Sequence, residues 1–170
     1  MQMSHFMQLL GANHPWNLII FMAIPMLMIE TIAVTEFHLI FNRKTSGTVK
    51  LINKFCSIFF GFYFTGISIY LMFNAVIPVT LTGGWLGWVD AAAVIINVTG
   101  MLFTLPLALL ELGLIYKKKS ADQKLKVHFM LVSGFLIIGH VAMVLGMVDP
   151  GVMNPMPMND NMDMKMDMEM

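Results

Sequence analysis

Methionine is the residue whose spacing most directly suggests chemistry in this chain. Residues 153–170 read MNPMPMNDNMDMKMDMEM. The methionines after Pro155 are Met156, Met158, Met162, Met164, Met166, Met168 and Met170. A thioether is a soft, uncharged ligand, and soft sulfur ligands favour Cu(I) over hard cations. Because a thioether has no proton to lose, it binds without the deprotonation that a thiol needs. The pattern predicts a Cu(I)-binding segment.

The same segment lacks the residues that build a core. After Val152 it contains no Leu, Ile, Val or Phe. Such a segment buries too little apolar surface to offset the loss of chain entropy on folding. We therefore predict two parts, a membrane domain at 1–150 and a disordered Met-rich tail at 151–170.

The composition before the tail is that of a membrane protein. Hydrophobic residues make up 58% of the chain and charged residues 12%. A helix that crosses a bilayer needs about 20 apolar residues. The runs that meet this length are Trp16–Phe41, Phe55–Ile77, Trp85–Tyr116 and Val127–Val148. The predicted fold class is all-α, a polytopic bundle of four transmembrane helices in which the third span is the longest.

The basic residues predict the orientation. They cluster in the first and third connections, at Arg43, Lys44, Lys50, Lys54, Lys117, Lys118, Lys119, Lys124 and Lys126, with Lys165 in the tail. Cytoplasmic loops carry the excess of Lys and Arg, so both termini are expected outside. Trp16, Trp85 and Trp88 then fall at the outer interface, as an aromatic belt would. We expect a multi-pass protein of the bacterial inner membrane, with no nucleic-acid surface.

Soft ligands also recur inside the predicted spans. Met22 and Met26 share a face of the first span, and His140, Met143 and Met147 share a face in the outer half of the fourth. Together they would form an outer metal site beneath the tail. The alternative is that the methionines pack ordinarily and that His140 is a hydrogen-bonded structural residue, since an imidazole within a bilayer needs a partner.

A second candidate cluster lies near the cytoplasmic face. Glu36, His38, Glu111 and His128 all fall within a short distance of that face by residue counting. Carboxylates mixed with imidazoles suit harder or borderline metals. A different interpretation takes His38 and His128 as the axial ligands of a b-type haem between helices.

Further polar residues mark the inward faces of the helices. Asp90, Asn97, Thr104 and Glu111 are seven residues apart throughout, so they share one helix face that should line the bundle. A second, weakly polar stripe on the second span is expected to face the bundle and consists of Cys56, Tyr63, Tyr70 and Asn74. Its tyrosines are expected to pack and hydrogen-bond across helices.

Two prolines fall within the predicted spans. Pro25 and Pro106 each lack the N–H that a helix interior uses. Both are therefore predicted to kink their helices, and Pro25 to leave a backbone carbonyl free.

The Met-x-Met runs and the Met143–Met147 pair are similar to features of the Ctr copper transporters. That resemblance implies an outer Met segment that captures Cu(I) and a ring of Met pairs that passes it through a trimer. Ctr proteins have three spans and carry the Met segment before the first. The resemblance therefore covers the tail and one pair of residues.

These observations favour a small integral membrane protein that binds Cu(I), with the tail as the outer collector and the bundle as a transport path or docking platform. Two alternatives stay open: a haem b electron-transfer protein, and an accessory subunit of a larger membrane complex. The expected partners are the lipid bilayer, a periplasmic metal chaperone or complex subunit, and a second copy of the chain. We find no nucleophile elbow, HExxH or P-loop, so we do not expect an enzyme.

Overall fold

The computed structural model describes residues 4–42, 47–117 and 120–149. Within these ranges the chain forms helices and no strand. The helices are α1 (His5–Gly11), α2 (Trp16–Asn42), α3 (Thr48–Thr82), α4 (Trp88–Glu111) and α5 (Ala121–Met147). Each of α2 to α5 is long and apolar enough to cross a membrane. The predicted all-helical, four-span fold is confirmed, and the Met-rich tail lies outside the described residues.

The second span is longer than its apolar run. Helix α3 has 35 residues, whereas Phe55–Ile77 was predicted. Lys50 and Lys54 end the apolar run, but both residues are compatible with a helix that continues into the polar interface. At the other end the predicted span stops at Ile77, before Pro78, yet the helix continues to Thr82.

The third span is shorter than predicted. Helix α4 has 24 residues and is the shortest of the four, so Trp85–Tyr116 was too long. The helix ends before Gly113, which has a positive φ of 72° and donates to Leu110 O at 3.0 Å. A glycine in this left-handed conformation is a common helix terminator. Apolar residues after it extend the hydrophobic run without extending the helix.

The spans pack as an up-down bundle in which neighbours along the chain are neighbours in space. The most extensive contact joins α3 to the second half of α4, while α2 and α5 touch over a smaller area. The centre contains Phe135, whose ring meets Phe60 and Phe64 edge-on with centroids 5.1 and 4.8 Å away. Residues of all four spans complete this cluster.

A glycine sets the distance between α3 and α4. A Cβ at Gly61 would lie 2.5 Å from both the Thr104 carbonyl oxygen and the Ala108 Cβ. Small residues at helix contacts in membranes let two backbones approach closely. The Gly61–Ala108 contact therefore depends on the missing side chain.

Two of the spans accommodate proline with a wide helical turn. The π-helical segments Ile19–Ala23 and Met72–Val76 end just before Pro25 and Pro78 respectively. In the first, the N–H of Ile24 bonds to Ile19 O instead of Ile20 O. Since Pro25 has no N–H either, the Ile20 carbonyl loses its partner within the helix.

Tyr63 supplies the missing partner. Its hydroxyl donates to Ile20 O at 3.0 Å, from α3 to α2. This bond confirms the predicted cross-helix role of Tyr63 and the predicted free carbonyl near Pro25. Tyr70 and Asn74 of the same predicted stripe are exposed, so the stripe does not face the bundle along its whole length. In α4 the helix is interrupted at Gly100, and Pro106 lies inside the α-helical segment Met101–Glu111.

The short helix α1 was not predicted. Ser4 caps it by accepting from Met7 N at 3.3 Å, and Phe6 and Leu10 are buried. The helix packs against one end of α2, α4 and α5. It was missed because seven residues give too few turns for a periodicity to stand out.

We predict that Gly61→Ala lowers the melting temperature of the protein in detergent. Overpacking of this kind typically costs about 1–3 kcal/mol. Gly66→Ala is the matched control, because the same helix leaves open space there. Circular dichroism should show Gly66→Ala at or slightly above the wild-type melting temperature. Equal effects at both positions would contradict the close approach of α3 and α4.

Candidate functional site at the inner end

The two ends of the bundle differ in charge and aromatic content. Basic residues flank the connections from α2 to α3 and from α4 to α5, and we call this the inner end by the positive-inside rule. At the opposite, outer end, Trp16 and Trp88 begin α2 and α4 and are 62% and 61% exposed. This is the position expected of interfacial tryptophans.

A buried carboxylate–imidazole pair lies toward the inner end. Glu36 of α2 is 1% exposed and His128 of α5 is 3% exposed. His128 Nδ1 lies 2.8 Å from Glu36 Oε1. A carboxylate only accepts hydrogen bonds, so an ionised Glu36 places the proton of the neutral imidazole on Nδ1. The pair joins two helices that otherwise contact each other over a small area.

The second ring nitrogen of His128 is also engaged. Ser57 Oγ of α3 lies 3.1 Å from His128 Nε2 and donates to it when Nδ1 carries the proton. Glu111 of α4 is more distant, with Oε1 3.6 Å from the same nitrogen. His128 therefore has polar contacts with all three other spans, and sequence counting had already grouped three of these four residues.

A cavity lies beside this cluster. Its volume is about 580 Å³, which falls within the range of about 300–1,000 Å³ typical of ligand pockets. Its polar lining consists of Lys50, Asn53, Glu111, Asp122, Lys124 and His128. All four spans contribute to its walls, and apolar side chains such as Leu39 and Leu110 complete them.

The predicted inner metal site is only partly assembled. Glu36, Glu111 and His128 come together, whereas His38 is exposed and its backbone carbonyl accepts from Asn42 Nδ2 at 3.0 Å. Within the described ranges, no group of three or more His, Cys, Asp or Glu side chains is arranged to hold a metal ion. Glu36 and His38 are two positions apart on α2, so their side chains point to opposite sides of the helix.

The candidate haem ligands His38 and His128 have different surroundings in the structure. Both ring nitrogens of His128 already have hydrogen-bonding neighbours inside the bundle. His38, by contrast, is exposed on the outer side of α2. The two imidazoles therefore do not face each other across a common space.

The residues of the predicted outer metal site are dispersed. Met22 packs beside α1, and Met26 is half-buried in α2. His140 is exposed on α5, where its Nδ1 lies 2.7 Å from the Leu136 carbonyl oxygen one turn earlier. Met143 is half-buried and Met147 is 60% exposed. Nδ1 of His140 is thus satisfied within its own helix.

At the outer end, a second buried carboxylate holds α1 in place. Asp90 is fully buried and accepts from His5 N at 2.7 Å, and its other oxygen lies 2.6 Å from His5 Nδ1. Ser4 Oγ donates to Gly146 O at 2.6 Å, which joins α1 to the last turn of α5. A Cβ at Gly146 would lie 2.9 Å from the Phe6 ring, so a glycine is needed there.

The seven-residue polar stripe of α4 faces the interior as predicted. Asp90 and Thr104 are fully buried, and Asn97 and Glu111 are half-buried. The two carboxylates serve opposite ends of the bundle, Asp90 in contact with His5 and Glu111 beside His128. The sequence signal for the Asp90 contact is His5 in the N-terminal segment.

We predict that His128→Leu strongly destabilises the bundle, because it leaves Glu36 buried without its partner. Removing one member of a buried pair costs about 3–5 kcal/mol. The measurement is loss of helicity during titration with a denaturing detergent. His38→Leu, at an exposed position on α2, should unfold like the wild type.

The double variant Glu36→Leu/His128→Leu should regain most of that stability, since replacing both partners with apolar groups is often neutral. Glu36→Leu is measured alone as well. If the double variant lost as much stability as the losses of Glu36→Leu and His128→Leu added together, the pairing would be contradicted.

Comparison with known proteins places the chain in one family. The model described as "Family of unknown function (DUF6803)" matches residues 1–162. No curated protein and no solved structure matches the chain. Because the match spans nearly the whole sequence, all four membrane helices included, the chain belongs to the family DUF6803.

Proposed function

We propose that this protein binds Cu(I) at the outer face of the bacterial cytoplasmic membrane, with the Met-rich tail as the binding segment. The observation that carries the proposal is the run of alternating methionines from Met162 to Met170. Methionine thioethers select Cu(I) and remain ligands at any pH, because they have no proton to lose.

The position of the chain ends supports this assignment. The tail follows α5, whose last turn is bound to α1 through Ser4 and Gly146. An even number of spans puts the start of α2 and the end of α5 at the same end of the bundle. The end of α5 thus lies beside α1. With the orientation proposed from the basic loops, this end faces the compartment where thiols tend to oxidise and thioethers keep their ligand character.

The charges of the tail fit a collector of cations. Acidic residues alternate with methionine at Asp163, Asp167 and Glu169, and Lys165 is the only basic residue among them. Carboxylates raise the local concentration of cations, while the neighbouring sulfurs select the soft ones. Retention then depends on several thioethers acting together.

The bundle in this proposal is an anchor that fixes the tail at one face. Met22, Met26, His140, Met143 and Met147, the methionines and histidine of the expected path, do not form one cluster with each other. In this proposal the tail delivers Cu(I) to a periplasmic chaperone or to a membrane partner.

The test is Cu(I) binding measured by competition with a chromogenic chelator. Full-length protein in detergent should bind Cu(I) with submicromolar affinity, and a version ending at Val152 should lose that binding. Truncation removes charge as well as sulfur, so two further variants separate these effects.

The first variant replaces the tail methionines with leucine and keeps the acids; it should lose binding. The second replaces Asp and Glu with Asn and Gln and keeps the methionines. It should retain most of the equilibrium affinity for Cu(I). Its affinity should depend less on ionic strength than that of the wild type. Equal affinity in the full-length and truncated proteins would contradict a tail site.

A further inference from the structure

A small groove lies between α2 and α5, where these helices contact each other loosely. Its volume is about 240 Å³. The lining includes Ala33, Glu36 and Phe37 of α2, with Phe129, Ser133 and Ile137 of α5. Phe37 and Ile137 are 50% and 67% exposed, and both belong to membrane-spanning segments. The groove therefore opens toward the hydrocarbon of the bilayer.

One residue that lines this apolar groove, Glu36, has an unsatisfied acceptor. Glu36 Oε1 is held by His128, whereas Glu36 Oε2 is buried and has no hydrogen-bond partner among the described residues. Leaving a buried acceptor of this kind unpaired is costly, and the cost is larger for a charged group. The groove thus favours an occupant that donates a hydrogen bond.

The surroundings restrict the chemistry of that donor. A charged donor would have to enter from hydrocarbon, which is unfavourable. A hydroxyl enters more easily, and the Phe37 and Phe129 rings, 6.1 Å apart and nearly perpendicular, offer aromatic surface for a ring to contact. The volume is below the range of about 300–1,000 Å³ for whole ligands, so the groove suits a head group whose tail stays in the lipid.

We propose that this groove binds the head of a membrane-soluble aryl alcohol, the chemistry of a phenol or quinol, with its hydroxyl donating to Glu36 Oε2. The site is separate from the Met-rich tail and does not depend on copper binding. It uses the Glu36–His128 pair as a fixed acceptor: the imidazole holds one carboxylate oxygen, and the ligand takes the other.

The experiment compares two probes that differ in one hydrogen-bond donor. Para-decylphenol carries the hydroxyl, and para-decylanisole is its methyl ether with nearly the same shape and a similar affinity for detergent. Thermal unfolding of the full chain is followed at increasing concentrations of each probe, because a ligand that binds the folded state raises the melting temperature. The phenol should bind at least about tenfold more tightly than the ether, since a hydrogen bond to a charged group is lost.

A matched pair of variants locates the site. Ser133→Trp fills the groove without replacing Glu36 or His128, and it should abolish the phenol-dependent shift. Val141→Trp adds the same side chain to the same helix at an exposed position outside the groove lining, and it should leave the shift unchanged. For each variant, the shift is measured from the melting temperature of that variant without probe.

A third variant removes the acceptor. Glu36→Leu/His128→Leu keeps the groove apolar, so it should bind phenol and ether with equal, weak affinity. Equal shifts with both probes in the wild type would overturn the proposal and leave water as the partner of Glu36. A shift that survives in Ser133→Trp would place the site elsewhere. A third outcome would also overturn the proposal: the wild type is a dimer that does not respond to phenol, and Ser133→Trp dissociates it. The occupant of the groove would then be a second copy of the chain.

Discussion

The bilayer requires that polar groups inside the bundle find partners within the protein, and the structure meets this requirement with two carboxylate–imidazole contacts. Glu36 meets His128 near the inner end, and Asp90 meets His5 at the outer end. An isolated carboxylate within hydrocarbon is expensive, so each carboxylate fixes the position of the helix that carries its histidine. The two contacts tie α5 to α2 and α1 to α4.

Backbone groups meet the same requirement. Pro25 leaves the Ile20 carbonyl without a partner in its helix, and the Tyr63 hydroxyl replaces the missing N–H. Three buried side-chain oxygens of the described residues have no hydrogen-bond partner: Glu36 Oε2, Ser68 Oγ and Thr104 Oγ1. Of these residues, Glu36 lines the groove between α2 and α5, and this is the reason for proposing a ligand there.

Sequence patterns predicted what depends on composition and regular spacing. Four apolar runs gave the four spans, and the seven-residue spacing from Asp90 to Glu111 gave the interior face of α4. The ends of the helices were harder, because Lys50 and Lys54 end an apolar run without ending a helix. Gly113 ends a helix within a run that remains apolar.

Predictions of the sites depended on which helix faces meet, and a single sequence does not contain that information. Glu36 and His128 were grouped correctly by depth alone. His38 was grouped by the same rule and points outward. His140 was expected to need a partner from another helix, but its own backbone supplies one at Leu136, a solution available to any helical histidine.

The two ends of the bundle differ in the groups that they carry. The outer end combines α1, the interfacial tryptophans and the last turn of α5. The inner end combines the basic loops, the cavity of about 580 Å³ and the Glu36–His128 pair. A soft-metal collector is useful only at the face where it meets its metal, so the sidedness of the bundle decides what the tail can do.

Sidedness is best measured by labelling single cysteines with a membrane-impermeant maleimide in intact cells. Cys56 is the only cysteine, so Cys56→Ser gives a background free of thiols. In that background we predict that Val152→Cys is labelled in intact cells, and that Gln123→Cys, near the start of α5, is labelled only after permeabilisation. The reverse pattern would place the Met-rich tail in the cytoplasm and contradict its role as an outer collector of Cu(I).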